Sequence, residues 1–390
     1  MKADFPHIHH QGRTVSITVR NGRIAEITLM EEPAHQVILP LMVDPHVHLD
    51  KTFTAARCPG GRPGLFGAIE AMAADAAGWT EADMRQRMTR ALREAHANGI
   101  AALRSHIDWT APGLPLAWSV LGEIAQDWRD MVRIQRASLT SLDMLGDPAF
   151  GDAIAAEVAR DGEVLGCFVY RNRDLRDRLD YVVSRAIKYD LALDFHVDEG
   201  LEVEADAFDH IVALTGKHRL GGRVLCGHAC SLSVRSQAET QRAIEGAAKA
   251  GVALTVMPTT NQWLQDNQPG RTPRLRGLAP LHELNAAGVR VLLGADNVAD
   301  AFYPYGSYDA LETLRLATLC GHLAPSEWIG AITRDPARVI GFDLPEIAVG
   351  APANFVLIDG QSWDDALRTA RARRRIVRHG HASVSGEKAA

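Results

Sequence analysis

The chain has few cysteines and no long apolar run. Its five cysteines are scattered along 390 residues without a CxxC pair, which excludes a disulfide framework and a cysteine-based zinc site and indicates reduced thiols. No stretch of about 18 apolar residues is free of charge, so we expect no membrane span. The N-terminal segment also lacks the apolar core of a secretory signal. These absences together predict a cytoplasmic protein.

Positive charge is not in excess either. The chain carries 42 Lys and Arg against 48 Asp and Glu, a formal net charge of −6, and this balance argues against a non-specific nucleic-acid binder. Hydrophobic residues make up 46% and charged residues 23%, as in soluble globular proteins with a large core. Histidine is the one residue in excess, with 16 copies, so the positions of the histidines are the most informative feature.

The central part of the chain alternates apolar runs with amphipathic stretches. The stretch 80–99, for example, predicts a helix that starts at Thr80 and stops at Gly99. Repeated βα units indicate a parallel sheet, and eight of them favour an α/β fold with a closed (β/α)8 TIM-like barrel. An open doubly wound sheet is the rival, but no glycine-rich phosphate loop follows the first strand. The eight predicted strands are 37–44, 100–108, 131–139, 164–170, 191–199, 223–230, 252–258 and 289–297.

Both ends of the chain are also rich in β-forming residues. An Asn21-Gly22 pair between two such runs predicts a hairpin, and strand-like sequence returns over 351–380. We therefore predict a small β-sandwich domain formed by both termini. The predicted limits are 1–40 and 348–390 for the β-domain and 41–347 for the barrel. The histidines at the start of the chain, His7, His9 and His10, are interpreted as solvated residues of a polar tail.

Polar residues of one chemical kind stand where the predicted strands end. His46 and His48 are two residues apart, so on a strand their side chains share a face. In a (β/α)8 barrel the C-terminal strand ends open onto one face, where active sites are built. This shared placement indicates a metal or acid–base site. The remaining members of the set are His196, Glu199, His228 and Asp296.

Four motifs in strand order resemble those of the amidohydrolase superfamily. They are PHVHLDK (45–51), DFHVDEG (194–200), GHAC (227–230) and LGADNVADAFYPYG (293–306). Within the superfamily, the pattern is most similar to the cytosine deaminase-like branch, which also includes N-isopropylammelide hydrolase. The resemblance extends over nearly the whole chain.

The resemblance implies a role for each strand-end residue. It makes His46, His48, His196 and Asp296 the metal ligands. It makes His228 the residue that holds the attacking hydroxide or the substrate, and it makes Glu199 the proton shuttle, with Asp296 as the base that takes the proton of the water. The ammelide relative lacks a carboxylate at the position of Glu199, so this residue favours deamination.

The metal content follows from the same resemblance. Binuclear members of the superfamily bridge two metals with a carboxylated lysine on strand four, and the predicted strand four here contains no lysine. One divalent metal ion is therefore expected. Three nitrogen ligands and one oxygen ligand suit zinc or iron(II), and we expect zinc.

The substrate pocket departs from the cytosine deaminase pattern. The branch carries a glutamine in an Ala-x-x-Gln string on strand three, and Thr140 stands at that position here. A threonine hydroxyl cannot make the paired donor and acceptor contacts of an amide, so cytosine itself is disfavoured. Thr140, Trp263, Asn297 and Phe302 are expected to contact the substrate, and either aromatic ring could stack on a planar heterocycle.

Two further pairs are expected to support the site. His106 and Asp108 end strand two in a string similar to the R-T-H-x-D of the family, and Asp50 and Lys51 follow the histidine pair and could orient His48.

The sequence thus predicts a mononuclear metal-dependent hydrolytic deaminase of an amino-substituted nitrogen heterocycle. The ring could be a pyrimidine, a pterin, a triazine or creatinine-like, and ammonia is released. The alternative reaction is hydrolysis of a cyclic amide or an N-alkylamino substituent. A metal-binding module without catalysis is disfavoured, because no ligand and no shuttle carboxylate is missing. The expected partner is a small heterocycle, not nucleic acid or a membrane. A homo-oligomer is compatible with the sequence, although no residue argues for one.

Overall fold

A computed structural model describes residues 2–58, 62–368 and 372–384. In chain order, its strands are β1 (Lys2–His10), β2 (Arg13–Arg20), β3 (Arg23–Leu29), β4 (Gln36–Pro40), β5 (Met42–Val47), β6 (Ile100–Asp108), β7 (Arg133–Ser141), β8 (Leu165–Val169), β9 (Leu193–Val197), β10 (Val224–His228), β11 (Ala253–Val256), β12 (Arg290–Leu293), β13 (Phe355–Asp359), β14 (Arg374–Arg378) and β15 (His381–Val384).

The helices lie mainly between the strands from β5 onward. They are α1 (Leu65–Ala76), α2 (Glu81–Ala97), α3 (Leu116–Trp128), α4 (Leu142–Leu145), α5 (Gly151–Arg160), α6 (Leu175–Lys188), α7 (Ala207–Lys217), α8 (Gln237–Ala250), α9 (Pro258–Leu264), α10 (Leu281–Ala286), α11 (Ala310–Gly321), α12 (Pro325–Trp328), α13 (Arg334–Ile340) and α14 (Trp363–Leu367). None of the helices in the described ranges is both long and apolar enough to cross a bilayer.

Strands β5 to β12 form one eight-stranded parallel sheet in sequence order. The sheet curves until its first and last strands meet. At the junction, the backbone nitrogen of Asp296 donates to the carbonyl oxygen of His46 at 2.8 Å. The buried Asp44 carboxylate supports this junction by accepting from the backbone nitrogens of His46 (3.1 Å) and Ala295 (3.2 Å). Burial raises the pKa of Asp44 to about 7. The predicted TIM-like barrel is confirmed.

The two termini build a second sheet, as predicted. Its strand order is β15-β14-β13-β4-β1-β2-β3. Side chains from both halves share one core, in which the rings of Phe5 and Phe355 meet edge to face at 5.4 Å, so the sheet folds over its own interior. Asn21 and Gly22 have φ angles of 51° and 75°, the left-handed pair that a tight hairpin turn requires. The residue limits of the two domains stay a prediction, and residues 385–390 lie outside the described ranges.

Two local expectations are corrected by the structure. The apolar run 37–44 is two strands, since β4 joins the terminal sheet and β5 begins the barrel, with the buried Leu41 between them. The histidines His7, His9 and His10 belong to β1, where His9 and His10 pair with neighbouring strands and His7 lies at a bulge. They are therefore part of an ordered sheet, not of a polar tail.

Candidate active site and metal centre

Three imidazoles and one carboxylate converge where the barrel closes. His46 is the next-to-last residue of β5, His48 directly follows that strand, and His196 lies on β9. The Nε2 atom of His196 is 3.1 Å from that of His46 and 3.3 Å from that of His48. Asp296 Oδ1 lies 3.1 Å from His48 Nε2 and 3.5 Å from His46 Nε2. The structure thus brings together all four residues predicted as metal ligands.

The donor set fits a divalent ion. The four distances of 3.1–3.5 Å are close to the edge of about 3.4 Å in a tetrahedron whose corners lie about 2.1 Å from its centre. Burial lowers the pKa of all three imidazoles well below the ordinary histidine value, and neighbouring imidazoles lower it further. Within the described residues, neither oxygen of Asp296 has a hydrogen-bond partner. Neutral imidazoles and a free carboxylate are what zinc or iron(II) requires.

His228 is held in one tautomer beside this cluster. The amide nitrogen of Asn261, on α9, lies 2.9 Å from His228 Nδ1 and donates to it, so the ring proton is on Nε2. Nε2 is buried and has no partner among the described residues, and the ring lies 5.0 Å from that of His196. Burial lowers the pKa of His228 to about 4. His228 is therefore a neutral donor with a free N–H group.

Glu199 is a buried carboxyl group next to His228. Its Oε1 lies 3.5 Å from His228 Nδ1, and its backbone carbonyl accepts from the side chain of Gln265. Burial and, secondarily, the charge of Asp296 raise the pKa of Glu199 well above the ordinary value. The site thus contains one carboxyl group that takes up a proton readily and one, Asp296, that lies against the imidazoles.

A buried charged group supports the cluster from within the barrel. The His106 ring packs on that of His46 at 4.1 Å, and its Nε2 lies 3.2 Å from Asp194 Oδ2. Arg104 Nη1 contacts the same oxygen at 2.7 Å. Burial alone would raise the pKa of Asp194, but His106 and Arg104 lower it below the ordinary value. His106 therefore has the supporting placement expected from the sequence.

Replacing Arg104 with methionine should destabilise the fold by about 3–5 kcal/mol, because it leaves the Asp194 carboxylate buried without its cation. Arg104 is 3% exposed and Asp194 is fully buried. Urea unfolding of the variant measures the loss. Arg129→Met is the control, since Arg129 pairs with Asp130 on the open surface and should leave stability unchanged. A loss no larger than in the control would contradict the role of this ion pair.

The residues after His48 tie the first barrel strand to the second. Lys51 Nζ contacts Asp108 Oδ1 at 2.7 Å and is nearly fully buried. Asp50 accepts from the backbone nitrogens of Lys51 and Asp108, each at 2.9 Å. Burial raises the pKa of Asp50 to about 6. These contacts fix the backbone that carries His48, and they place the Lys51 ammonium 5.1 Å from the Phe302 ring.

Three of the four predicted substrate contacts lie on segments that follow late barrel strands. Phe302 and Asn297 belong to the segment after β12, where the Asn297 amide donates to Asp300 Oδ2 at 2.7 Å. Trp263 is 39% exposed and packs edge to face against two tyrosines of the same segment. Their contact with a substrate stays a prediction.

Thr140 does not face the cluster, which corrects the fourth expectation. His106 pairs with Ala137 across β6 and β7, so Ala137 and Leu139 share the inner face with His106. Arg136 points the other way and bonds to a backbone carbonyl of α3 at 2.8 Å. Thr140 is four residues after Arg136 and lies on that outer face. Position within a sequence motif alone does not show this alternation of side chains along the strand.

Sequence reasoning missed three residues that position the site. Asp44 and Asp194 each stand two residues before a predicted ligand, so the period of two along a strand could have assigned them to the same face. Asn261 lies two residues before the predicted substrate contact Trp263, but its contact with His228 joins α9 to β10, which are distant in the sequence.

Parallel barrels that carry imidazole and carboxylate donors at the C-terminal strand ends form a large class of hydrolases. Residues 83–386 match the model of the amidohydrolase family. Pterin deaminase from Rhizobium rhizogenes is 35% identical over 348 residues, which cover 88% of this chain and 80% of the relative. The chain belongs to the amidohydrolase family and is an enzyme that hydrolyses carbon–nitrogen bonds other than peptide bonds.

Two solved structures share the fold. The 5-methylcytosine deaminase of Klebsiella pneumoniae superimposes with a TM-score of 0.86 at 24% identity and covers 98% of this chain and 97% of that one. The N-isopropylammelide isopropylaminohydrolase of Burkholderia multivorans gives a TM-score of 0.79 at 23% identity, with the same coverage of 98% and 97%. The fold is therefore shared with these two enzymes, and the family match confirms the predicted resemblance to the amidohydrolase superfamily.

Proposed function

We propose that this enzyme is a hydrolytic deaminase of an amino-substituted nitrogen heterocycle, with a pterin as the leading substrate, and that it acts in the cytoplasm. The observation that carries the proposal is the buried Glu199 carboxyl group, 3.5 Å from His228 and adjacent to the donor cluster. Loss of an amino group as ammonia needs a proton donor at this place. The 35% identity to a pterin deaminase supports the choice of ring.

His46, His48, His196 and Asp296 would hold one divalent ion, with zinc preferred over iron(II). When bound, such an ion would lower the pKa of a water molecule and polarise the ring carbon under attack. A mononuclear site agrees with the sequence of β8, LGCFV, which contains no lysine to bridge a second ion.

The protein's own groups would move the protons. Asp296 has free carboxylate oxygens and would take a proton from the attacking water. Glu199 would protonate the ring nitrogen next to the attacked carbon, take up the proton of the new hydroxyl group, and deliver that proton to the leaving amine. The proton held by Asp296 would then return to Glu199. The His228 Nε2–H would donate to the oxygen that becomes negative in the tetrahedral intermediate. A carbon–oxygen bond forms, the exocyclic carbon–nitrogen bond breaks, and the products are a ring carbonyl and ammonia.

Ammonia release tests the proposal. The protein is supplied with zinc or iron(II) and assayed with pterin, cytosine, 5-methylcytosine, creatinine, an aminotriazine and N-isopropylammelide. Ammonia from one of the amino-substituted rings, abolished by a chelator, is expected. Release of isopropylamine without ammonia from any ring would overturn deamination in favour of N-alkyl hydrolysis. An absence of any product with one metal bound per chain would also overturn it.

Replacing Asn261 with leucine should lower kcat by about 10- to 100-fold. The change removes the donor that keeps the His228 proton on Nε2, so part of the population loses the N–H group that faces the reacting oxygen. Steady-state kinetics and metal analysis measure the effect, with metal content and KM expected to stay unchanged. Asn285→Leu, at an exposed position of α10, is the control. Equal kcat in both variants would show that the tautomer has no role.

A further inference from the structure

A cavity opens at the mouth of the barrel beside Glu199. It measures about 560 Å³ and is lined by residues that follow four different barrel strands. Gly200 in its wall is the neighbour of Glu199, and Gln265, also in the wall, binds the Glu199 backbone carbonyl. The cavity therefore adjoins the backbone of Glu199, and it has the volume of a typical small-molecule pocket.

One wall of the cavity is aromatic. Tyr170 stacks on Phe168 with ring planes 9° apart and centroids separated by 6.1 Å, and it meets Phe66 edge to face at 5.1 Å. Phe168 pairs with His196 across β8 and β9, so both side chains point to the same side of the sheet. The aromatic wall thus extends from the level of the imidazole cluster out to the mouth, and such surfaces suit a planar ring system.

A carboxylate stands next to this wall with one oxygen unused. The Tyr170 hydroxyl donates to Glu202 Oε1 at 2.5 Å. Glu202 Oε2 is buried and has no hydrogen-bond partner among the described residues. Gly200 leaves room for it, because a β-carbon there would collide with Glu202 Oε2 and with the Tyr170 hydroxyl. A buried acceptor without a donor is costly unless a ligand supplies one.

We propose that Tyr170 and Glu202 recognise the second ring of a fused two-ring amino-heterocycle, and that this ring carries an N–H donor. The inference rests on the proposed function. With the amino-bearing ring at Glu199, the second ring extends into the cavity, where it stacks against Tyr170 and donates its N–H to Glu202 Oε2. A 7-oxopterin has such an N–H on its second ring, whereas the unsubstituted oxidised pterin offers only acceptor nitrogens there. Glu202 therefore selects between the two.

Steady-state kinetics of Glu202→Gln with both pterins test the proposal. A hydrogen bond to a charged group contributes about 1.5–3 kcal/mol, so KM for 7-oxopterin should rise about 10- to 100-fold, with kcat within about twofold. KM for pterin should change little. Tyr170→Phe, which keeps the ring and removes the hydroxyl that orients Glu202, should shift KM in the same direction. The matched control is Glu204→Gln, an exposed glutamate two residues along the same segment.

Equal effects of Glu202→Gln on the two pterins, or none, would overturn the inference while leaving deamination intact. If the wild-type enzyme releases no ammonia from any ring, the proposed function fails instead. A binding measurement then tests the inference separately. The Glu199→Gln variant is titrated with 7-oxopterin, and the quenching of the ligand's fluorescence reports binding. Weaker quenching when Glu202→Gln is added supports the inference, and an unchanged titration overturns it.

Discussion

Replacing Glu199 with glutamine should lower kcat by about 10²- to 10⁴-fold, the range that general acid–base catalysis contributes. Glutamine keeps the size of the side chain and its contact distance to His228, 3.5 Å in the wild type, but it cannot transfer a proton. Metal content should stay at the wild-type level, because Glu199 is not one of the four proposed metal ligands. The assay is ammonia release on the best substrate of the panel, with metal analysis on the same sample.

Glu245→Gln is the control for this substitution. Glu245 is an exposed residue of α8, so the same chemical change there should leave turnover unchanged. Turnover of Glu199→Gln equal to that of the control would contradict the proton shuttle. A loss of metal in Glu199→Gln would instead assign Glu199 to the donor set, and this would remove the basis for separating its role from that of Asp296.

The different roles proposed for Glu199 and Asp296 follow from the different surroundings of their carboxyl groups. Both are nearly fully buried, but Asp296 contacts His46 and His48 directly, whereas Glu199 faces His228 from beyond the end of β9. A buried carboxyl group without a cation at contact distance favours its neutral form. Pairs of titratable groups in such different surroundings are a common way to assign acid and base in one site.

The barrel and its donor set could be predicted from the sequence because one physical rule governs both. Buried parallel strands are continuous apolar runs, so a polar residue at the end of such a run is conspicuous, and the topology brings all such ends together. This rule found His46, His48, His196, His228 and Asp296. It failed at residues 37–44, where two strands of different sheets are both buried and leave no polar residue between them.

Contacts across the fold could not be predicted in the same way. The pairing of Asn261 with His228 and that of Tyr170 with Glu202 depend on how loops after different strands meet, and no local periodicity encodes that. Thr140 illustrates the opposite error. The family motif identified Thr140 by its position in the sequence. The pairing of β7 with β6, however, determines which face of the sheet each side chain occupies.

Replacing His196 with alanine should abolish stoichiometric metal binding, because it removes one of the four proposed ligands and leaves three around a larger void. Removal of an outer partner of a metal ligand typically costs 10–100-fold in affinity, so loss of a ligand should cost at least about 100-fold.

Thermal unfolding gives a readout of metal binding that does not depend on turnover. An ion that binds only the native state raises the free energy of unfolding by RT ln(1 + [metal]/Kd). The wild-type melting temperature should therefore rise when zinc is added and fall again with a chelator, and His196→Ala should show neither shift.

Asp296→Asn keeps the shape of the side chain and should behave similarly if the carboxylate charge is needed for the ion. His210→Ala is the control. His210 lies on α7 with its side chain largely buried beside Asp180 of α6, it is not grouped with the possible metal ligands, and the variant should keep the full zinc-dependent shift. One metal per chain and a wild-type shift in both His196→Ala and Asp296→Asn would show that the ion binds elsewhere, and the division of labour among His228, Glu199 and Asp296 would then lose its physical basis.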